Sequence, residues 1–164
     1  MMRMKPIAAF IAGAIAAGCA SYGGTSLQPG TSTEAQARAL MGQPAVEFPN
    51  GDGSRTLAYP RGPLGTQTFM VDVSRDGVVQ AVRPVLYDGT FYQIQPGMTR
   101  DDVLRMIGPP GDTMRFARLD HDSWEWRYYD TWGYLAIFSV DFDRDGKVVS
   151  KFSRRLERSD GKSR

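Results

Sequence analysis

The chain is poor in the residues that build metal cages and hydrolytic triads. Its 164 residues include one cysteine, Cys19, and one histidine, His121. A single cysteine excludes an intrachain disulfide and a thiolate zinc cluster. A single histidine excludes a multi-histidine metal site and confines any Ser-His-Asp arrangement to the neighbourhood of residue 121. Long apolar runs are scarce too. The one near the N-terminus, Ile7 to Ala17, is short for a permanent membrane-spanning helix. Nor is there an excess of charge. The formal net charge of +2 is carried by Arg3 and Lys5, and the remaining cations and carboxylates balance. That removes the electrostatic case for binding nucleic acid.

What is present is a repeat. Residues 71–79 read Val-Asp-Val-Ser-Arg-Asp-Gly-Val-Val, and residues 140–149 read Val-Asp-Phe-Asp-Arg-Asp-Gly-Lys-Val-Val. Each is an alternating strand, an Arg-Asp-Gly turn and a returning strand, which predicts a β-hairpin. A three-residue loop with glycine in the left-handed position matches apolar with apolar residues. It pairs Val73 with Val79, Asp72 with Gln80 and Val71 with Ala81 in the first copy. In the second it pairs Phe142 with Val148 and Phe138 with Phe152.

Other features recur in the same order. Leu27-Gln28-Pro29-Gly30 is restated by Ile94-Gln95-Pro96-Gly97. Thr33 with Gln36, and Thr99 with Asp102, have the spacing of a helix capping box. Ala37, Leu40 and Met41 then match Val103, Met106 and Ile107 at helical spacing, and Gly42-Gln43-Pro44 and Gly108-Pro109-Pro110 end the two helices. Strands are expected over 55–59, 66–73, 78–82, 123–129, 132–143 and 147–152. The expected fold is therefore α+β: two tandem units, each a helix followed by a three-stranded antiparallel meander. Units of this size are marginal alone, which predicts that they pack together and join their sheets. The domain reading is 1–18 signal, 19–28 flexible tether, 29–86 first unit, 87–156 second unit and 157–164 charged tail.

The N-terminus has a basic start, the apolar run and the small residues Ala16-Ala17-Gly18, the layout of a secretory signal. Cys19 follows at once. The arrangement resembles the bacterial lipoprotein signal, in which cleavage precedes the cysteine and the new terminus is acylated, with palmitate among the chains. It departs in having Ala16 where a larger aliphatic residue is usual. Ala20 stands where an inner-membrane retention aspartate would be, so the resemblance implies the outer membrane. A lipid anchor attaches a chain without a spanning helix.

Ile94-Gln95-Pro96-Gly97-Met98-Thr99, Val103, Ile107-Gly108-Pro109-Pro110, Trp124-Glu125-Trp126-Arg127-Tyr128 and Val140-Asp141-Phe142-Asp143-Arg144-Asp145-Gly146-Lys147-Val148 together resemble the SmpA/OmlA (BamE-like) family of outer-membrane lipoproteins. The resemblance covers residues 94–153 well and 27–83 weakly. The first copy has Leu57-Ala58-Tyr59 in place of the Trp-x-Trp strand. The BamE-like pattern is a single unit, whereas tandem units of this shape are similar to β-lactamase inhibitory protein.

The remaining constellations have ordinary explanations. Asp141-x-Asp143-x-Asp145-Gly146 imitates the start of an EF-hand loop but has Phe152 where the bidentate glutamate belongs. His121 between Asp120 and Asp122 lacks a placed nucleophile. Glu47 and Asp52 have no evident partner. Lys151, Arg154, Arg155 and Arg158 form a basic cluster suited to anionic lipid or an acidic partner, or simply to solvent. Trp124, Trp126, Phe138 and Phe142 are expected in the core. Tyr129 and Trp132, near a strand connection, are the better partner-binding candidates, with Trp124 and Trp126 behind them. No cofactor or metal is expected. The resemblance implies a non-enzymatic, periplasm-facing outer-membrane lipoprotein. It would be held in the membrane by lipid on Cys19 and would contact envelope proteins, among them the β-barrel assembly machine. The other readings are a periplasmic inhibitor or sequestering protein, and an envelope hydrolase built on His121.

Overall fold

A computed structural model describes residues 26–61, 65–118 and 120–156. The signal segment, Cys19, most of the tether and the charged tail with Arg158 lie outside the described residues. The element order is α1 (Glu34–Met41), β1 (Val46–Pro49), β2 (Arg55–Arg61), β3 (Gln67–Val73), β4 (Val79–Pro84), α2 (Asp88–Gln93), α3 (Arg100–Ile107), β5 (Asp112–Phe116), β6 (His121–Tyr129), β7 (Leu135–Phe142) and β8 (Val148–Arg155). β1 to β4 form one antiparallel sheet in sequence order and β5 to β8 form another. The protein is α+β, with helix-plus-antiparallel-sheet units in tandem.

The repeated motifs recur together because they bond to each other. Thr33 and Thr99 cap α1 and α3 through complete capping boxes with Gln36 and Asp102. Each cap lies against its own unit's hairpin. Gly30 N donates to Val79 O, Val79 N to Ser32 O and Glu34 N to Gly77 O. In the second unit Gly97 N donates to Val148 O, Val148 N to Met98 O and Arg100 N to Gly146 O. Gly77 and Gly146 have φ of 79° and 74°, the left-handed geometry that closes a three-residue loop. Asp143 Oδ1 accepts from the Asp145 and Lys147 amides, so this carboxylate serves the turn. Ser74 Oγ does the same for Val78 N.

One contact is kept with its polarity reversed. Glu34, the first residue of α1, pairs with Arg55 on β2. Arg100, the first residue of α3, pairs with Asp122 on β6. A helix docked on the wrong sheet would set Glu34 against Asp122 and Arg100 against Arg55, so the reversal disfavours exchange between the two repeats. Burial pushes the Glu34 carboxyl up, but Arg55 and Arg38 outweigh it and hold its pKa below the ordinary 4.5. A depressed carboxylate pKa stabilises above the unfolded value, and the gain fades as pH falls through the folded one. Glu34→Gln therefore lowers stability at pH 7 by at most about 1 kcal/mol, as for a partly exposed pair. The gap from wild type shrinks as pH falls below the ordinary 4.5 and through the lowered folded value. Thermal melts at pH 7 and pH 3 check this, and a gap that persists in acid refutes it.

The elements stack in layers. α1 covers one face of the first sheet, where Ala37 and Met41 meet Leu57, Tyr59, Val71, Val73 and Val79. The opposite face contributes Phe48, Ala58 and Met70 to a larger core shared with Val103, Ile107, Trp126, Phe138, Val140 and Phe142 of the second unit. That core lies between the two sheets. Arg105 crosses the boundary: its Nη1 donates to Pro49 O, and its guanidinium lies 5.2 Å from the Phe48 ring centroid.

Several expectations need correction. The sheets are separate rather than joined, and each has four strands instead of three, because β1 and β5 add a strand to each meander. α2 is an additional helix, and the strand expected from residue 132 begins at Leu135 as β7, which leaves Trp132 in a turn. The hairpins keep Val73 opposite Val79 and Phe142 opposite Val148, but a register shift follows in each. Asp72 faces Ala81 rather than Gln80, Val71 faces Val82 rather than Ala81, and Phe138 faces Ser153 rather than Phe152. An inserted residue moves every later side chain to the other face. Phe152 is exposed as a result, and Lys151 turns inward opposite Val140.

Candidate interaction surface

The inward turn of Lys151 builds one side of the site. Its Nζ donates to the carbonyls of Phe91, Tyr92 and Ile94 at the end of α2. These are among the last carbonyls of a short helix, which lack a helical i+4 amide; Phe91 O also accepts from Ile94 N and Tyr92 O from Gln95 Nε2. Burial lowers the Lys151 pKa. α2 also supplies Phe91, which stacks on Phe138 with centroids 3.9 Å apart, and Asp88. Asp88 Oδ1 accepts from the Tyr128 hydroxyl at 3.1 Å, and Oδ2 accepts from Thr131 at 2.7 Å. The Tyr128 hydroxyl also lies 3.0 Å from Ser153 Oγ, and burial raises the phenol's pKa.

Residues 130–134, between β6 and β7, are wired through Asp130. Its Oδ1 accepts from the Trp132 and Tyr134 amides, both at 2.9 Å, and its Oδ2 accepts from Arg155 Nε at 2.6 Å. Its backbone N donates to Tyr134 O, and Gly133 N donates back to its carbonyl. Burial pushes the Asp130 carboxyl up, but the two amides and Arg155 outweigh it and hold it below the ordinary carboxylate range. The Arg155 guanidinium lies 4.6 Å from the Tyr134 ring centroid. The outcome is an ordered turn whose tip is Trp132, 78% exposed. A recess of about 240 Å³ lies beside it, lined by Asp88, Tyr128, Thr131, Trp132, Arg154 and Arg155 among others.

The four aromatic candidates separate. Tyr129 and Trp132 are exposed, and Trp126 is 1% exposed with its Nε1 donating to Gly108 O. Trp124 is partly buried against the core, 4.8 Å from the Phe142 ring. Trp126 thus has no surface to offer a partner. Sequence reasoning missed Tyr92 and Tyr134, exposed at 80% and 58%. Tyr92 lies within α2 and Tyr134 at the end of the turn before β7. The basic cluster is engaged within the chain: Lys151 with α2, Arg154 with Glu125 at 3.6 Å and Arg155 with Asp130. Glu47 and Asp52 have partners after all, Arg38 and Ser54. His121 stands opposite Phe116 at the start of β6. Among the described residues no group of three or more His, Cys, Asp or Glu side chains is placed to hold a metal, and no helix is long and apolar enough to cross a membrane.

The fold and this surface define an α+β chain of two helix-on-sheet units, with an ordered aromatic turn on the second. No protein-family model and no curated protein matches it. It is similar to a solved structure described as the osmotically inducible lipoprotein OsmE, at 25% identity and a TM-score of 0.35, covering 38% of this chain and 71% of that one. It is similar also to the DUF4309-family protein YjgB from Bacillus subtilis, at 17% identity and a TM-score of 0.30, covering 80% and 82%. A third likeness is to a Streptococcus mutans protein described as a β-lactamase inhibitor, at 12% identity and a TM-score of 0.32, covering 77% and 84%.

Proposed function

We propose that this chain is a lipid-anchored, periplasm-facing outer-membrane lipoprotein. It acts as a non-enzymatic protein-interaction module in outer-membrane protein assembly or envelope integrity. The observation that carries the interaction role is Trp132, held at the tip of a turn by Asp130 and yet 78% exposed. Tryptophan is the side chain most enriched among interface anchors, and an ordered one loses little freedom on binding. The anchor rests on Cys19, the sole cysteine, placed directly after an apolar run and small residues. The domains act as read from the sequence: signal 1–18, tether 19–28, units 29–86 and 87–156, and tail 157–164.

Wild-type protein takes up labelled palmitate and sediments with the envelope, while Cys19→Ala does neither. Affinity capture from detergent-solubilised envelopes then tests the module. Recovery of barrel-assembly proteins by wild type supports the assembly role. Recovery of a soluble periplasmic hydrolase by both forms overturns it in favour of an inhibitor and makes the anchor incidental. Equal sedimentation of the two forms refutes lipidation.

A further inference from the structure

We infer that the free edge of β8 docks an extended protein segment in which apolar and acidic residues alternate. The segment adds a strand to the second sheet beside Lys151 to Arg155. This rests on the protein-interaction reading above and adds the mode of binding and the chemistry of the partner.

β8 ends the strand order of its sheet, so only its β7 side is paired. Leu156 N donates to Leu135 O, which fixes the alternation of the ladder. The amides and carbonyls of Phe152 and Arg154 face β7, and those of Lys151, Ser153 and Arg155 face away from it. Among the described residues no acceptor meets those three amides. The same edge already takes a chain segment at its first residue, where Gly97 N donates to Val148 O and Val148 N to Met98 O.

The other three sheet edges are blunted. Asn50 N donates to Ser54 O and Val85 N to Thr68 O, so Pro49 on β1 and Pro84 on β4 stand where an outward donor would be. On β5 the Thr113 amide is taken by Asp112 Oδ1 at 2.8 Å. β8 reads Val-Val-Ser-Lys-Phe-Ser-Arg-Arg, with no proline and no acid. Two copies paired along it would set two rows of cations side by side, which is unfavourable. A partner strand that carries carboxylates reverses the sign.

Side-chain direction sets the partner's pattern. Ser153 lines the 240 Å³ recess beside Trp132 and also a second recess of about 210 Å³. Phe91, Tyr92, Phe138 and Phe152 line the second, together with Lys151 and Ser153. Three successive β8 residues border it, so it opens on the edge rather than on one face. A side chain of the added strand that points toward α2 enters this recess, and the four rings call for an apolar one. Its neighbours point to the opposite face, where Arg154 lies with Arg127, Ile137 and Glu125. Glu125 is 11% exposed and accepts from Ser139. Arg154 is 49% exposed and has only a long 3.6 Å contact with Glu125. Most of its N–H donors are left for a carboxylate on the added strand.

The test puts a photoreactive phenylalanine analogue in place of Phe152 of the full-length protein in native envelopes. The expected result is crosslinking to a protein segment that alternates apolar and acidic residues. Ser153→Pro lowers the yield about tenfold or more, because it leaves a carbonyl of the added strand unpaired. Ser153→Ala keeps the yield. Both variants lose the hydroxyl contact with Tyr128, so the difference between them reads the edge amide and not that contact. Arg154→Glu lowers the yield to a similar extent, and Arg154→Lys keeps most of it. If Ser153→Pro does not fold in a thermal melt, the Arg154→Glu result decides. Equal yields for folded Ser153→Pro and Ser153→Ala, a yield indifferent to Arg154→Glu, or crosslinks only to lipid or to a second copy overturn the proposal. The same analogue in place of Trp132 separates the two readings. Protein crosslinks from position 132 with none from 152 sink this edge and leave the interaction module standing. None from either position sinks both.

Discussion

Trp126→Ala lowers the unfolding free energy by about 3–5 kcal/mol, the range for emptying a large aromatic site in a packed core. Trp126 is 1% exposed and belongs to the core between the sheets, packed near Phe138 and Trp124 with centroids 6.2 Å from each. Its indole also donates to the carbonyl of Gly108, the residue that ends α3. Truncation therefore leaves a cavity and an unpaired buried carbonyl together. The other two tryptophans calibrate the result. Trp132→Ala changes stability by less than about 0.5 kcal/mol, as for an exposed site. Trp124→Ala falls between, since its ring is partly covered by Phe142 and the Arg100 guanidinium. Urea unfolding of the three variants gives the order directly. A Trp126→Ala cost within about 1 kcal/mol of the Trp132→Ala cost refutes the layered core, because it would mean the site was not closed.

Trp124 and Trp126 also show how far the sequence could be read. Alternation put Trp124, Trp126 and Tyr128 on one side of a strand, and it could not say what covered that side. The cover comes from α2, α3 and the first sheet, which are remote in sequence. The helix caps and Arg-Asp-Gly turns were legible because their signals are local: a hydroxyl three residues before its partner, and a glycine in a left-handed position. β1 and β5 were not. β1 is four residues ending in Pro49, and β5 is exposed at all five positions, so neither carries a buried alternation. α2 is six residues with a glycine second, DGTFYQ, too short to show a helical period. Its C-terminal carbonyls are held by Lys151, far along the chain. That contact depends on the bulge, and the bulge was invisible because Asp72–Gln80 and Phe138–Phe152 both looked like good pairs. The site was half legible. Tyr129 and Trp132 stood out as aromatics flanking a connection. The wiring of the turn by Asp130 and Arg155 joins residues 25 apart, and no local pattern announces it.

Gly42 and Gly108 occupy the same place in the two repeats, and their alanine variants part company. Both end a helix at positive φ with extended ψ, φ 80° and ψ −164° for Gly42 and φ 76° and ψ −175° for Gly108, a conformation essentially confined to glycine. An L-residue there costs about 1–3 kcal/mol in either unit. Around Gly42 an added Cβ meets nothing within 4 Å, so Gly42→Ala costs about that and no more. At Gly108 the Cβ would lie 2.8 Å from Thr68 Cγ2, with Met70 Cε at 3.5 Å and Ala58 Cβ at 3.7 Å. Thr68, Met70 and Ala58 are buried on the first sheet, so none can yield without disturbing a filled core. Overpacking of this kind adds about 1–3 kcal/mol, and Gly108→Ala costs about 2–6 kcal/mol in all. The difference between the two variants therefore measures how closely the end of α3 is pressed against the other unit's sheet. Thr68→Ser removes the methyl that the new Cβ would strike. In the Gly108→Ala background it returns much of the steric part and leaves the backbone part in place, a coupling that a double-mutant cycle reads directly. Equal costs for Gly42→Ala and Gly108→Ala, with no coupling to Thr68, would show that the two units do not meet at this glycine. The shared core with Phe48, Ala58 and Met70 on one side and Ile107 and Trp126 on the other would then lose its closest point of contact.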